Sequence, residues 1–147
     1  MFIETISYSK SSTFSQCKLK YKYKYVERLM GDKPRNEDSL NFGSYIHKVL
    51  EEGVEAKCLK DLQSLAEQHK KSYKIPFSYK ERTNRCLSNF LNFNGKLGET
   101  VATELIYEVT LDKKNNIKQN GIIDRVIKGS NGGYLIIDYK TSKREKN

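Results

Sequence analysis

Hydrophobic positions along the chain change their period once, near residue 100. Between about Ser7 and Asn94 apolar residues recur at helical spacing; from Val101 onward they alternate or run in short β-rich blocks. Ile46, Val49, Leu50, Gly53 and Val54 form one helical stripe, opened by the turn-like Asn41-Phe42-Gly43-Ser44 and extendable through Leu59, Leu62, Leu65 and Ala66. Pro76 marks a break, and a further helix carries Cys86, Leu87, Phe90 and Leu91 on one face until Asn94-Gly95 stops it. Lys20-Tyr21-Lys22-Tyr23-Lys24-Tyr25 fits two readings. Its strict alternation argues for a strand, whereas the cap-like Ser11-Ser12-Thr13 with Phe14, Cys17 and Leu19 argues for a helix.

In the last third, Val101, Thr103, Leu105, Tyr107, Val109 and Leu111 alternate with Ala102, Glu104, Ile106, Glu108 and Thr110. That pattern predicts a strand of about 11 residues with one apolar face. Asp112 to Asn116 is turn material, and two more strands, Ile117 to Lys128 and Tyr134 to Lys140, flank the loop Gly129-Ser130-Asn131-Gly132-Gly133. The layout predicts an α/β fold: N-terminal helices packed on a small mixed sheet with an antiparallel three-strand meander. One domain is expected over 1–147, mainly helical over 1–100 and β-rich over 101–147.

Composition narrows the classes. Among 147 residues, 27 lysines and arginines against 18 acids leave a net charge of +9, which makes nucleic acid the first partner to consider. Ten tyrosines and six phenylalanines suffice to organise a core, which argues against disorder. No apolar run approaches the roughly 20 residues of a membrane span, and the start lacks the basic and apolar stretches of a signal peptide. Cys17, Cys58 and Cys86 are an odd number at wide spacing, so neither a disulfide framework nor a zinc site is expected and a cytoplasmic, reducing environment is. The basic residues Lys18, Lys20, Lys22, Lys24 and Arg28, interleaved with aromatics, suit a phosphate backbone and base stacking, or equally a solvated face over a tyrosine-lined core edge.

The last hairpin carries the chemistry. Asp124 lies seven residues before Asn131 and Asp138 seven after it, so a symmetric loop sets Asp124 directly across from Asp138. Opposed side chains share a face at about 4.5–5.5 Å between Cβ atoms. Two carboxylates so placed repel unless a cation lies between them, and a hard divalent cation with oxygen ligands fits. Lys140, two residues beyond Asp138, projects from the same face and can orient an attacking water, while the carbonyl of Tyr139 can reach a bound metal. The plain alternative is solvated surface.

Gly121-Ile122-Ile123-Asp124-Arg125 followed by Ile136-Ile137-Asp138-Tyr139-Lys140-Thr141 resembles the PD-(D/E)XK nuclease superfamily. Within it the chain is most similar to the RecB/AddB-type exonuclease branch, which includes CRISPR-associated nucleases that trim spacers. The helix start Gly43-Ser44-Tyr45-Ile46-His47, the strand Glu104-Leu105-Ile106-Tyr107 and the cysteine-aromatic-basic stretch from Ser9 to Tyr25 match further motifs, so the resemblance covers Ser7 to Thr141. It implies a metal-dependent deoxyribonuclease with a restriction-endonuclease-like core. His47, Asp124 and Asp138 would ligate Mg²⁺ or Mn²⁺ with the Tyr139 carbonyl as a fourth ligand. Lys140 would position the attacking water, and Glu104 would serve the catalytic centre or only pair with Arg125.

Two departures shape the expectations. The iron–sulfur members of the branch carry three cysteines beyond the catalytic lysine; none follows Lys140 here, and Cys17 precedes Lys18 rather than proline, so no cluster is expected. The later Gln-x-x-x-Tyr helix and closing strand are likewise not found after Thr141, so a second chain, self-association or solvent is expected to cover the sheet edge. A non-catalytic nucleic-acid- or partner-binding module with a nuclease fold is the other reading.

Overall fold

The computed structural model describes residues 4–29 and 37–141. The described elements are β1 (Glu4–Ile6), α1 (Tyr8–Gln16), α2 (Lys18–Tyr21) with a π-helical turn over Lys22–Val26, α3 (Glu37–Glu52), α4 (Leu59–Lys70), α5 (Lys80–Asn94), β2 (Glu99–Asp112), β3 (Ile117–Lys128) and β4 (Tyr134–Ile137). The fold is α/β with a mixed four-stranded sheet. In it β3 lies between β2 and β1, pairs parallel with β1, and pairs antiparallel with β4. Chain contacts gather into two compact units, Arg35–Leu105 with Ile123–Asn147 and Met1–Pro34 with Ile106–Ile122.

The core of the first unit is built by three helices. Phe42, Tyr45, Ile46, Val49 and Leu50 of α3 meet Leu62 and Ala66 of α4 and Leu87 and Phe90 of α5. Fully burying each large apolar side chain contributes about 1.5–3 kcal/mol. Helix α3 already runs through Asn41 to Ser44, so these residues do not form the expected turn. Burial of Phe42, Tyr45 and Ile46 overrides the weak helix propensity of Gly43-Ser44. The stripe also breaks after Glu52 instead of continuing. A Cβ at Gly53 would lie 2.3 Å from Leu62 Cδ2, so a glycine there lets α4 fold back onto α3.

Strand β3 has the expected bounds, and the pairs Arg125↔Ile137 and Lys128↔Tyr134 continue the expected hairpin register. Strand β4 is shorter than expected. It ends at Ile137 because the Tyr139 N–H, 2.5 Å from Asp124 Oδ2, is bonded to that carboxylate. Strand β2 departs in another way. Glu104 sits at φ 46°, a left-handed conformation that interrupts the two-residue alternation. Before it Thr100, Ala102 and Thr103 are half-buried and Val101 is exposed; after it Tyr107 is half-buried while Leu105, Val109 and Leu111 are exposed. The single apolar face that alternation predicts is therefore absent.

In the second unit, β1 pairs with the first residues of β3, Glu4↔Ile117 through Ile6↔Gln119, a strand that hydrophobic patterning did not reveal. Ser7, not Ser11 to Thr13, caps α1, and Cys17 Sγ accepts from Lys20 N to cap α2. The alternating Lys20 to Tyr25 segment is helical. Phe14 of α1 meets Tyr21 edge to face at 5.3 Å between ring centroids, and Tyr21 meets Tyr25, four residues on along the helical segment, at 5.2 Å.

Candidate metal centre

Three elements of one unit bring His47, Glu104 and Asp124 together. Helix α3 presents His47 at the margin of its buried stripe, the left-handed residue of β2 presents Glu104, and the middle of β3 presents Asp124. One ligand atom from each lies within 4.8 Å of the others. His47 Nδ1 is 3.4 Å from Asp124 Oδ1 and 3.8 Å from Glu104 Oε1. Asp124 is only 8 % exposed.

The imidazole tautomer follows from its other side. His47 Nε2 lies 3.1 Å from the Tyr139 carbonyl oxygen, which can only accept, so Nε2 carries the proton. In the neutral ring Nδ1 then turns its lone pair toward the two carboxylates, the arrangement found in metal-ligating histidines held by a carbonyl behind them. Burial, foremost, and the nearby Asp124 charge push the Glu104 carboxyl above its ordinary value, with His47 opposing. Two acids and one imidazole in a half-buried place lack positive charge. Their two oxygen donors and one nitrogen donor fit a hard or borderline divalent cation.

The remaining sequence candidates fall elsewhere. Asp138 is not in the group of His47, Glu104 and Asp124. Its carboxylate pairs with Lys140 Nζ at 2.5 and 2.7 Å, and both side chains are exposed. Beyond them the chain is tied down by Arg82 Nη2, which donates to the Thr141 carbonyl. The Tyr139 carbonyl is engaged by His47, while the Tyr139 ring packs at the helical core beside Phe90. Glu104 does not pair with Arg125, which donates instead to Thr100 and Asn94. Lys18, Lys20, Lys22, Lys24 and Arg28 are all exposed in the other unit, with Lys18 over the Phe14 ring, Lys24 over the Tyr25 ring and Lys22 paired to Glu27. Sequence reasoning named Glu104 for catalysis but not as a companion of His47. Its placement depends on a backbone conformation that no residue pattern signals.

A family profile described as the PD-(D/E)XK nuclease superfamily matches residues 5–147. A subunit of the ATP-dependent helicase/deoxyribonuclease of Streptococcus mutans serotype c is 26 % identical over 154 residues. That alignment covers 94 % of this chain and 14 % of the relative, so the chain spans a small part of the relative's length. No described helix is long and apolar enough to cross a membrane.

Proposed function

The chain belongs to the PD-(D/E)XK nuclease superfamily, and from that premise we propose that it hydrolyses DNA phosphodiester bonds with Mg²⁺ or Mn²⁺, exonuclease-like, at ends or on single strands. The observation that carries the reading is the convergence of His47, Glu104 and Asp124. A divalent cation held there would supply Lewis-acid stabilisation of the charge that develops at a phosphoryl oxygen. His47 Nδ1, Glu104 and Asp124 would hold it, with the Tyr139 carbonyl fixing the ring of His47. An imidazole among the ligands favours Mn²⁺ over Mg²⁺.

Lys140 is assigned the positioning and deprotonation of the attacking water, with Asp138 beside it. That role requires Lys140 to leave Asp138, which costs little for a pair this exposed. Lys18, Lys20, Lys22, Lys24 and Arg28 would hold the strand by its phosphates, with the neighbouring aromatics available to bases. The relative is named a deoxyribonuclease, which supports DNA as substrate and a RecB/AddB-type affinity. It is also named as one subunit among others, which supports a second chain or self-association as partner. We assign the activity to the cytoplasm, where DNA and reduced cysteines coexist.

A second reading, a non-catalytic nucleic-acid- or partner-binding module, is favoured by one observation: Asp138 and Lys140 bond to each other and not to the cluster. One assay separates the two. End-labelled single- and double-stranded DNA is incubated with the chain and Mg²⁺, Mn²⁺ or EDTA. Metal-dependent cleavage that Lys140→Ala abolishes is expected; tight binding without cleavage at any metal concentration would establish the module instead.

A further inference from the structure

A cavity of about 310 Å³ opens in the unit that holds the cluster, lined by Leu50, Phe90, Phe93, Leu97, Ile137 and Lys140, and not by His47, Glu104 or Asp124. Its polar wall is unusual. Arg125 is 3 % exposed, yet its acceptors are neutral: Nε and Nη2 donate to Thr100 Oγ1 at 3.0 and 2.6 Å, and Nη1 to Asn94 Oδ1 at 2.7 Å. The guanidinium carbon lies 5.7 Å from the Phe90 ring centroid, and roughly two of its five N–H groups have no acceptor of good geometry among the described residues. Among the described residues no carboxylate pairs with Arg125, and its neighbour Asp124 faces His47 and accepts from the Tyr139 N–H. The Tyr139 hydroxyl, also on the cavity wall, is buried beside Arg125 without a hydrogen bond of good geometry.

A buried guanidinium without a counter-charge and a buried hydroxyl without a partner each destabilise the chain. One carboxylate entering the cavity would satisfy both. The apolar surface extends past the mouth: Phe93 is 66 % exposed, and Leu135, on the same face of β4 as Ile137, is 50 % exposed. A small acid would leave that rim bare, whereas exposed apolar surface continuous with a pocket is the mark of a protein contact. We propose that this cavity seats an apolar segment of a partner polypeptide whose Asp or Glu side chain pairs with Arg125 and the Tyr139 hydroxyl. The assignment does not rest on the nuclease reading, although Lys140 also lines the cavity, and it stands or falls without a cleavage assay.

Cys86 lines the cavity and reports on it. In a chain carrying Cys17→Ser and Cys58→Ser, both at exposed positions, Cys86 is the one thiol left to alkylate. Short random peptides displayed on phage are panned against this chain, and enriched peptides are synthesised. Apolar peptides with an acid among them are expected, slowing Cys86 alkylation several-fold. Their affinity should fall about tenfold or more when the acid is changed to its amide, and likewise against Phe93→Glu, whose exposed position spares the fold. Arg125→Gln repeats the test at the pairing residue, and Phe93→Glu decides if that variant does not fold. No enrichment, enriched peptides without an acid, or binding that leaves Cys86 alkylation unchanged would overturn the proposal. So would equal protection by 3-phenylpropionate alone at the same concentration, which would make the ligand a small acid.

Discussion

His47, Glu104 and Asp124 were drawn together by packing, whereas Asp138 and Lys140, a few residues away in the same unit, were not. The first three stand on regular elements whose positions are set by a shared core: α3 is pinned by five buried residues, and β3 by its ladder. Asp138 and Lys140 follow the end of β4 and are exposed, beyond the last ladder pair at Ile137. They satisfy each other locally, while Tyr139 between them turns its ring to the core and its N–H to Asp124. Burial fixes a side chain over long sequence separations; an exposed strand end leaves the choice to the nearest opposite charge.

Replacing one member on each side breaks the comparison most sharply. Asp124→Asn should lower metal-dependent cleavage about a thousandfold and abolish Mn²⁺ binding measured by calorimetry. Lys140→Ala should lower cleavage about a hundredfold while leaving Mn²⁺ affinity unchanged. Equal losses of affinity would erase the distinction between ligand and water-positioning groups.

The structural side of the contrast is next in size. Ile46→Ala, at a fully buried position on the helix that carries His47, should cost about 3 kcal/mol in urea unfolding. Ile136→Ala, at 64 % exposure, should change stability by less than about 0.5 kcal/mol. Glu104 provides a pH signature. Its carboxyl is raised chiefly by burial, so the folded chain holds the proton more tightly than the unfolded one. In metal-free solution its contribution to stability is greatest below the unfolded value and declines as pH rises through the raised folded value. Glu104→Gln should remove that slope. With Mn²⁺ present, protons compete for the same oxygens, and affinity should weaken as pH falls into the Glu104 range. Asp138→Ala removes only an exposed ion pair and should shift stability in urea unfolding by less than about 0.5 kcal/mol.

Much of the framework was legible beforehand. The change of period near residue 100 marked the passage from helices to strands, and the Asn131-centred loop symmetry foretold the pairing of Arg125 with Ile137. Local chemistry carries such features, because turn residues and alternation act between near neighbours. Where the expectation failed, a distant contact had intervened. Gly53 admits Leu62 and splits one apparent helix into two; Tyr139 reaches Asp124 and stops β4 short of Asp138. The Lys20 to Tyr25 alternation satisfied a strand template, but the segment is helical, with Tyr21 in ring contact with both Phe14 and Tyr25.

By itself the sequence determined the passage from helices to strands near residue 100, the register of the last hairpin and a motif set sufficient to imply the superfamily, since these depend on residue kinds at short spacing. Tertiary structure alone decided which candidates meet. It placed Glu104 beside His47 through a left-handed backbone residue, protonated His47 on the side of Tyr139, kept Asp138 with Lys140, and buried Arg125 without a counter-charge. Each outcome is a competition among partners far apart in the chain. It is settled by which contacts the packed helices and strands permit.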